Sequence, residues 1–546
     1  MIDFSAPKVQ LGALFILCLL SFFIHLSAFE VDLMDARNYV TAREIVSGGS
    51  WLVPTMNGDL RIAKPPLPTW ITAALYALNG DRQNEGVLRI PSALMAALMV
   101  FSVWGIVRCL SRDRLLPLVS AAVLATSMIL IDMGRRNTWD IYCHSFMAAA
   151  LWAFASALRS SKPPWLKMLL FGVLLAAAFM SKGTVSFYVL LLPFLLAFGV
   201  SYGFGGLKHN GLPLAAGLLV FIALSAAWPL YLLKFHPAEV HQVFSHEAGA
   251  WGARHVQPFY FYLHFPLYAG IWCLGVLAGL WPRVGKRYIE PILRYRFVIV
   301  WLLATIVLLS VIPEKKERYL LPAAIPMAIL SGCLWRSMIA ANPLRKWQER
   351  FLRTHAAVIL LVVVAAELLL SHSALASNNP HILTFLLRSG IFLGVLIPGF
   401  WLLRHPGASA LFAYTLVLSC VMILSLIPEI ANSPLYIRNS LYQSLDEARS
   451  LTALRSFDLY QPGRINMKDV WKVGKPIHAW AEVKNRLDGV DLPVVLMSEG
   501  NPAKHLPNKY SGRIRMQNLA CYRSDYSHAD RTKCFALVTP AEPSAE

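Results

Sequence analysis

Long apolar runs decide what this chain can fold into. They recur through residue 430 at about 18 to 23 residues each, enough to cross the roughly 30 Å hydrocarbon core of a bilayer as a helix. Hydrocarbon offers no water to a bare backbone, so each run must satisfy its own N–H and C=O groups, and a helix does that within one segment. Composition agrees. Of 546 residues, 56% are hydrophobic and 15% charged, where a soluble protein carries nearer a quarter charged residues. The chain reads as an all-α polytopic membrane protein with about thirteen spans. These lie near 10–29, 89–108, 115–132, 141–158, 166–181, 184–202, 212–232, 260–281, 297–312, 320–338, 356–371, 383–402 and 408–427. The first run, LGALFILCLLSFFIHLSAF, resembles a secretory signal, but it is long and no small-residue cleavage site follows. It is expected to be retained as a span.

The net charge of +19 would suggest nucleic acid in a soluble protein. Here the bases fall largely in loops between spans. One set of alternate loops, RCLSRDR, RSSKPPWLK, PRVGKRYIEPILRYR, RSMIAANPLRKWQERFLRTH and RHPG, is basic and nearly motif-free. That is the expected cytoplasmic face. The other set holds the 30–88 loop, MGRRNTWD, SKG, the 233–259 loop and PEKKERYLLP, where bases sit beside acids, aromatics and prolines. Charges near a membrane cost roughly 2.5–3.5 kcal/mol each to insert, so such clusters need a reason, and an anionic ligand on the outer face supplies one.

Composition changes at about 430. The polar region 430–546 reads as a small α/β domain, with strands in LPVVLMSE (492–499) and KCFALVTP (533–540) and a helical pattern in IHAWAEVKNRLDG (477–489). An odd number of spans puts it outside the cytoplasm with the first loop. The expected division is therefore a transmembrane catalytic domain, 1–429, carrying a first outer loop at 30–88, and a C-terminal periplasmic domain, 430–546. Six of eight cysteines lie in or beside apolar runs and are expected as buried thiols. Cys521 and Cys534 can pair if their region faces an oxidising compartment. No Gly-rich phosphate loop is present, which argues against direct nucleotide use.

The chemistry-bearing residues gather in the outer loops. Asp35 opens the helical pattern ARNYVTAREIV, either as an N-cap or as a general base that takes an acceptor's proton; Asp32 is its neighbour and rival. Lys64 precedes PPLP, whose prolines hold the chain extended. It is either a snorkelling interfacial lysine or a point charge presented to a phosphate. Asp140 in RRNTWD opens a span as an N-cap with Arg135 or Arg136 as counter-charge, or as a functional carboxylate. Arg254 suits bidentate contact with a phosphate. The histidines around it lack HExxH spacing, so no metal or other cofactor is expected. In PEKKERYLLP, Lys315 and Glu317 read as a solvated charge run, while Arg318 and Tyr319 are placed to meet a lipid headgroup. Arg37 and Arg136 are further candidates.

In chain order, DARNYVTAREIVSGGSWLVP, NGDLRIAKPPLPTW, RRNTWD, SKG and KKERYLLP resemble the GT-C superfamily of membrane glycosyltransferases, in particular the aminoarabinose transferase and protein mannosyltransferase-like group. The resemblance covers the thirteen-span plan and, more loosely, the C-terminal domain. It implies a GT-C fold and a polyprenyl-phosphate sugar donor. The sugar would pass, usually with inversion, to an envelope lipid or glycan acceptor such as lipid A on the outer face of a bacterial inner membrane. It also implies roles: Asp35 and Asp140 as catalytic acids, and Lys64, Arg254, Arg318 and Tyr319 as donor-phosphate contacts. Two positions depart from the pattern. The family's Asp-Glu pair reads Met34-Asp35 here, and the Glu that often precedes the KPP lysine is Ala63. The rivals are a lipid or polysaccharide transporter, which would place its charges near mid-bilayer at a repeat interface, and a lipid-linked glycan ligase or polymerase.

Overall fold

The computed structural model describes residues 3–80, 83–205, 210–251, 255–375, 382–432, 443–483, 492–506, 513–524 and 532–541. The chain forms two compact units: Met1–Ala28, Ile62–Leu369 and His381–Pro428 in one, Phe29–Arg61, Leu370–Pro380 and Glu429–Glu546 in the other. The stretch expected as one outer loop, 30–88, is thus shared between them.

The first unit is a helical membrane body. Among the described residues eight helices are long and apolar enough to cross a bilayer, and six shorter apolar helices accompany them. Each of the thirteen expected spans coincides with an apolar helix. The differences are local. The span expected at 10–29 is helical only over Pro7–Phe23. The one expected at 115–132 breaks at Thr126–Ser127 into Leu116–Ala125 and Met128–Met133. The Thr126 hydroxyl accepts from the indole of Trp272 at 2.8 Å, which gives the break a buried polar partner. The span expected at 356–371 begins earlier, in the helix Lys346–Leu375.

A further helix, Leu67–Leu78, follows the KPPLP run directly. Pro66 is its N-cap residue in helical conformation and Pro68 lies in its first turn, so this proline cluster starts a helix and does not continue as an extended stalk. Proline's fixed φ and missing N–H suit a first helical turn, where no intrahelical partner is lost. Packing elsewhere depends on small residues. A Cβ on Gly172 would lie 1.9 Å from the Gly217 carbonyl, and one on Gly217 would lie 2.2 Å from the Met168 carbonyl. Helices Trp165–Lys182 and Gly211–Phe235 therefore meet backbone to backbone.

The second unit is built on a mixed five-stranded sheet in the order His478–Ala479, Leu459–Gln461, Val494–Glu499, Thr532–Pro540, Ile514–Arg523. The first three strands are parallel, and Thr532–Pro540 is antiparallel to both of its neighbours. Two expected strands are present, over 494–499 and 532–540. The helical pattern expected at 477–489 starts instead with the edge strand 478–479, followed by the short helix Trp480–Val483; its remainder lies outside the described residues. Cys521 and Cys534 face one another in register on neighbouring strands and form a disulfide.

The N-terminal part of the first outer loop is built into this unit. Helix Leu33–Val46 carries Tyr39 against the Trp471 ring, with centroids 5.0 Å apart, and Arg43 donates to the Val470 carbonyl at 3.1 Å. Asn57 exchanges two hydrogen bonds with the Ile477 backbone, at 2.8 and 2.9 Å. Glu44 accepts from the Thr55 hydroxyl and the Asn57 N–H, both at 2.6 Å, and so holds the small hairpin of Thr55–Met56 and Asp59–Leu60. Replacing both Cys521 and Cys534 with serine removes a short loop closure from the unfolded chain. The loss should be about 3 kcal/mol, read as a lower unfolding midpoint that reductant reproduces in the parent protein.

Candidate functional site

In the membrane unit a charged cluster forms at one end of three helical segments. Asp140 stands in the first turn of Trp139–Leu158, Lys182 ends Trp165–Lys182, and Arg318 and Tyr319 lie in the 3-10 turn Glu317–Ala323. Asp140 is 3% exposed. One carboxylate oxygen accepts from the Lys182 ammonium, and the other faces Arg318 Nε at 3.4 Å. Lys182 Nζ also stands 4.7 Å from the centre of the Tyr319 ring, within reach of a cation–π contact. Gly183 follows at φ 68°, ψ −140°, a conformation that glycine alone adopts readily, and turns the chain away immediately after the lysine.

The PEKKER turn supplies a second tier. Glu314 pairs with Lys316 at 2.6 Å and accepts from the Tyr319 hydroxyl at 3.3 Å. Tyr262 donates to the Lys316 carbonyl at 3.1 Å and accepts its N–H at 3.2 Å. Lys315, read from sequence as part of a solvated run, is 4% exposed. Its ammonium donates to the carbonyls of Gln257 at 3.0 Å and Ile312 at 2.7 Å. Burial lowers its pKa below the usual lysine value. The bridge between Val256 and Glu314 explains the inversion, because it folds 255–257 over the turn and encloses the lysine. Glu317 is exposed, as expected. Lys182, Lys316 and Arg318 against Asp140 and Glu314 leave this cluster with one net positive charge.

The counter-charges of Asp140 are therefore not the arginines of its own motif. Arg135 is 2% exposed and donates to the carbonyls of Ile24 at 2.5 Å and Ser21 at 2.8 Å, closing the end of the first helix. Arg136 pairs with Asp132 at 2.7 Å on an exposed helix face.

In the second unit the capping question is settled. Asp32 is the N-cap of Leu33–Val46 and accepts from the N–H groups of Met34 at 2.6 Å and Asp35 at 2.9 Å. Asp35 lies in the first turn, is 1% exposed, and is not the cap. The positive end of the helix favours a carboxylate there. Arg37 is partly buried on the same helix and lines a cavity within this unit.

The whole chain superposes on ArnT from Cupriavidus metallidurans bound to undecaprenyl phosphate. The TM-score is 0.71 at 15% identity, over 97% of this chain and 98% of that one. The chain has an ArnT-like GT-C fold. Residues 63–228 match the dolichyl-phosphate-mannose-protein mannosyltransferase family model, a stretch that includes Lys64, Asp140 and Lys182. Two Pseudomonas fluorescens relatives are similar in sequence, both undecaprenyl phosphate-alpha-4-amino-4-deoxy-L-arabinose arabinosyl transferases. One is 26% identical over 70% of this chain and 66% of its own length; the other is 28% identical over 57% and 56%. The chain thus spans somewhat over half the length of the curated relatives it matches.

The structure brings Asp140, Arg318 and Tyr319 together in one unit with Lys182 and Glu314, which carried no assigned role in the sequence. Lys182 had a visible signal: a lysine closing an apolar helix immediately before glycine. Lys64 lies in the same unit, partly buried in the bend before Leu67–Leu78. Arg254 lies outside the described residues. Among the described residues no group of three His, Cys, Asp or Glu side chains gathers as a metal site.

Two substitutions separate these roles by stability. Lys182→Met strands the buried Asp140 with one cation and should cost about 3 kcal/mol in detergent unfolding; adding Asp140→Asn should recover part of it, a coupling measured by the double-mutant cycle. Asp32→Ala should cost about 1 kcal/mol as a lost cap, and Asp32→Asn much less.

Proposed function

We propose that this protein transfers a sugar from a polyprenyl-phosphate donor to a lipid A-like envelope acceptor. By likeness to its relatives, the sugar is 4-amino-4-deoxyarabinose and the carrier undecaprenyl phosphate. The membrane is a bacterial inner membrane, with the 430–546 region on its periplasmic side. The observation that carries the reading is the net-positive cluster around Asp140, held at the ends of membrane helices.

The chemistry makes two demands. An acceptor hydroxyl oxygen attacks the anomeric carbon of the sugar, and the bond from that carbon to the phosphate oxygen breaks. The electron pair leaves with the polyprenyl phosphate, and the hydroxyl proton passes to a base. Charge therefore grows on a phosphate at the membrane surface, where preorganised cations lower the barrier. Lys182 and Arg318 are fixed cations of that kind, and Lys64 is assigned to the same phosphate. Tyr319 supports Lys182 through its ring. Asp140 is assigned to positioning: its two oxygens are engaged by two cations, which leaves it poorly placed to accept a proton. Asp35 is assigned the acceptor's proton by its match to the family's acidic pair in the first outer loop, and it is not the cap of its helix, a duty that Asp32 performs. Met34 stands where the family has a second acid, so a single carboxylate would carry this step. A transporter would concentrate charge at mid-bilayer, whereas this cluster stands at helix ends.

The test is transfer by purified protein supplied with an undecaprenyl-phosphate sugar and lipid A, followed by mass spectrometry of the acceptor. Asp35→Asn should lower turnover by about 10²–10⁴ with donor binding intact. Lys64→Ala and Arg318→Gln should each lower it by about 10²–10³. Undiminished transfer in both Asp35→Asn and Lys64→Ala would overturn the site. Donor movement without a new glycosidic bond would overturn the reaction.

A further inference from the structure

The membrane unit carries a cavity that the transfer reaction leaves unused. It lies where the helix ending at Leu280 passes through the basic elbow 281–294 and meets the first turns of Lys346–Leu375. This is the face bearing the basic, motif-free loops. The cavity measures about 730 Å³. Its chemistry is divided. Leu274, Leu277 and Ala278 line one end, and Leu277 is 48% exposed on the face a helix turns toward lipid. Arg283, Arg287 and Arg350 line the other, and no carboxylate is among the lining residues. All three arginines are exposed.

Between the two ends lies an aromatic belt. Trp281 is 61% exposed. Tyr288 stacks on Trp347 at 5.2 Å and 13°, and Trp347 stacks on Phe351 at 5.8 Å. Arg287 and Arg345 flank the Tyr288 ring at 5.8 and 5.9 Å. Exposed tryptophan and tyrosine mark the depth of lipid headgroups. Arginines packed on aromatic faces present their donors in fixed orientations suited to a phosphate. Acyl-chain wall, headgroup belt and unopposed cations follow one another in the order in which a phospholipid presents its own parts.

We infer that this cavity is a binding site for one anionic phospholipid of the adjacent leaflet, its phosphate held by Arg283, Arg287 and Arg350 and its upper acyl segment against Leu274, Leu277 and Ala278. The occupant is a structural lipid that pins the elbow 281–294 to the leaflet. It is distinct from the sugar donor, and the inference stands or falls independently of the transfer reaction.

The full-length protein in detergent is titrated with phosphatidylglycerol and with phosphatidylcholine of the same acyl chains, and bound lipid is counted by native mass spectrometry. The parent protein should retain phosphatidylglycerol selectively. The triple variant R283Q/R287Q/R350Q should lose that affinity by roughly fivefold for each arginine removed. The control triple R112Q/K162Q/R404Q, which removes as many exposed bases from the same set of loops, should keep it. Ala278→Trp, which fills the apolar end and leaves every charge in place, should also lose the lipid. Should the arginine triple fail to fold, Ala278→Trp and the single Arg→Gln variants report the same quantity. Three results would overturn the site: equal retention of both lipids by the parent, equal loss in the control triple, or full displacement of the lipid by inorganic phosphate.

Discussion

A carbonyl at the end of a helix inside a membrane protein has no water to turn to, and leaving it bare costs several kcal/mol. Buried cations meet that cost in this chain. Arg135 closes the carbonyls of Ser21 and Ile24 where the first helix stops short. Arg89, 1% exposed, donates to the Leu26 carbonyl a few residues on. Lys315 does the same for Gln257 and Ile312 near the middle of the sequence. These side chains hold the irregular connections on one face of the helical body, and the charged cluster depends on connections that do not move.

The cluster around Asp140 uses the same physics with the carboxylate at the centre. A buried carboxylate is tolerable only when paired, and here two cations share it. Each cation is in turn fixed by what surrounds it: Lys182 by the helix it ends and the Tyr319 ring, Arg318 by a turn anchored through Glu314, Lys316 and Tyr262. The result is positive charge held in a fixed arrangement, the kind of preorganisation on which the proposed phosphate contact relies.

The second unit shows how similar residues divide their work by position. Asp32, Asp35 and Glu44 lie within a few turns of one another. Asp32 caps the helix, Glu44 fastens a hairpin, and Asp35 is buried in the first turn, where the positive end of the helix favours a carboxylate.

Hydropathy determined the membrane class and the position of the thirteen expected spans, because satisfying a backbone in hydrocarbon is a local requirement that a run of apolar residues announces by itself. Strands 494–499 and 532–540 were legible for a similar local reason, whereas the Cys521–Cys534 pairing stood only as conditional on an oxidising compartment until the structure showed the bond. The partners of charged residues were not legible. Arg135 and Arg136 neighbour Asp140 in sequence, yet its counter-charges are Lys182 and Arg318, brought from other helices. Lys315 looked solvated until a bridge to Val256 enclosed it. The proline run before Leu67 looked extended until it proved to start a helix. Apolar spacing is written along the chain, whereas pairing of charges depends on which helix ends meet in space, and only the tertiary structure decides that.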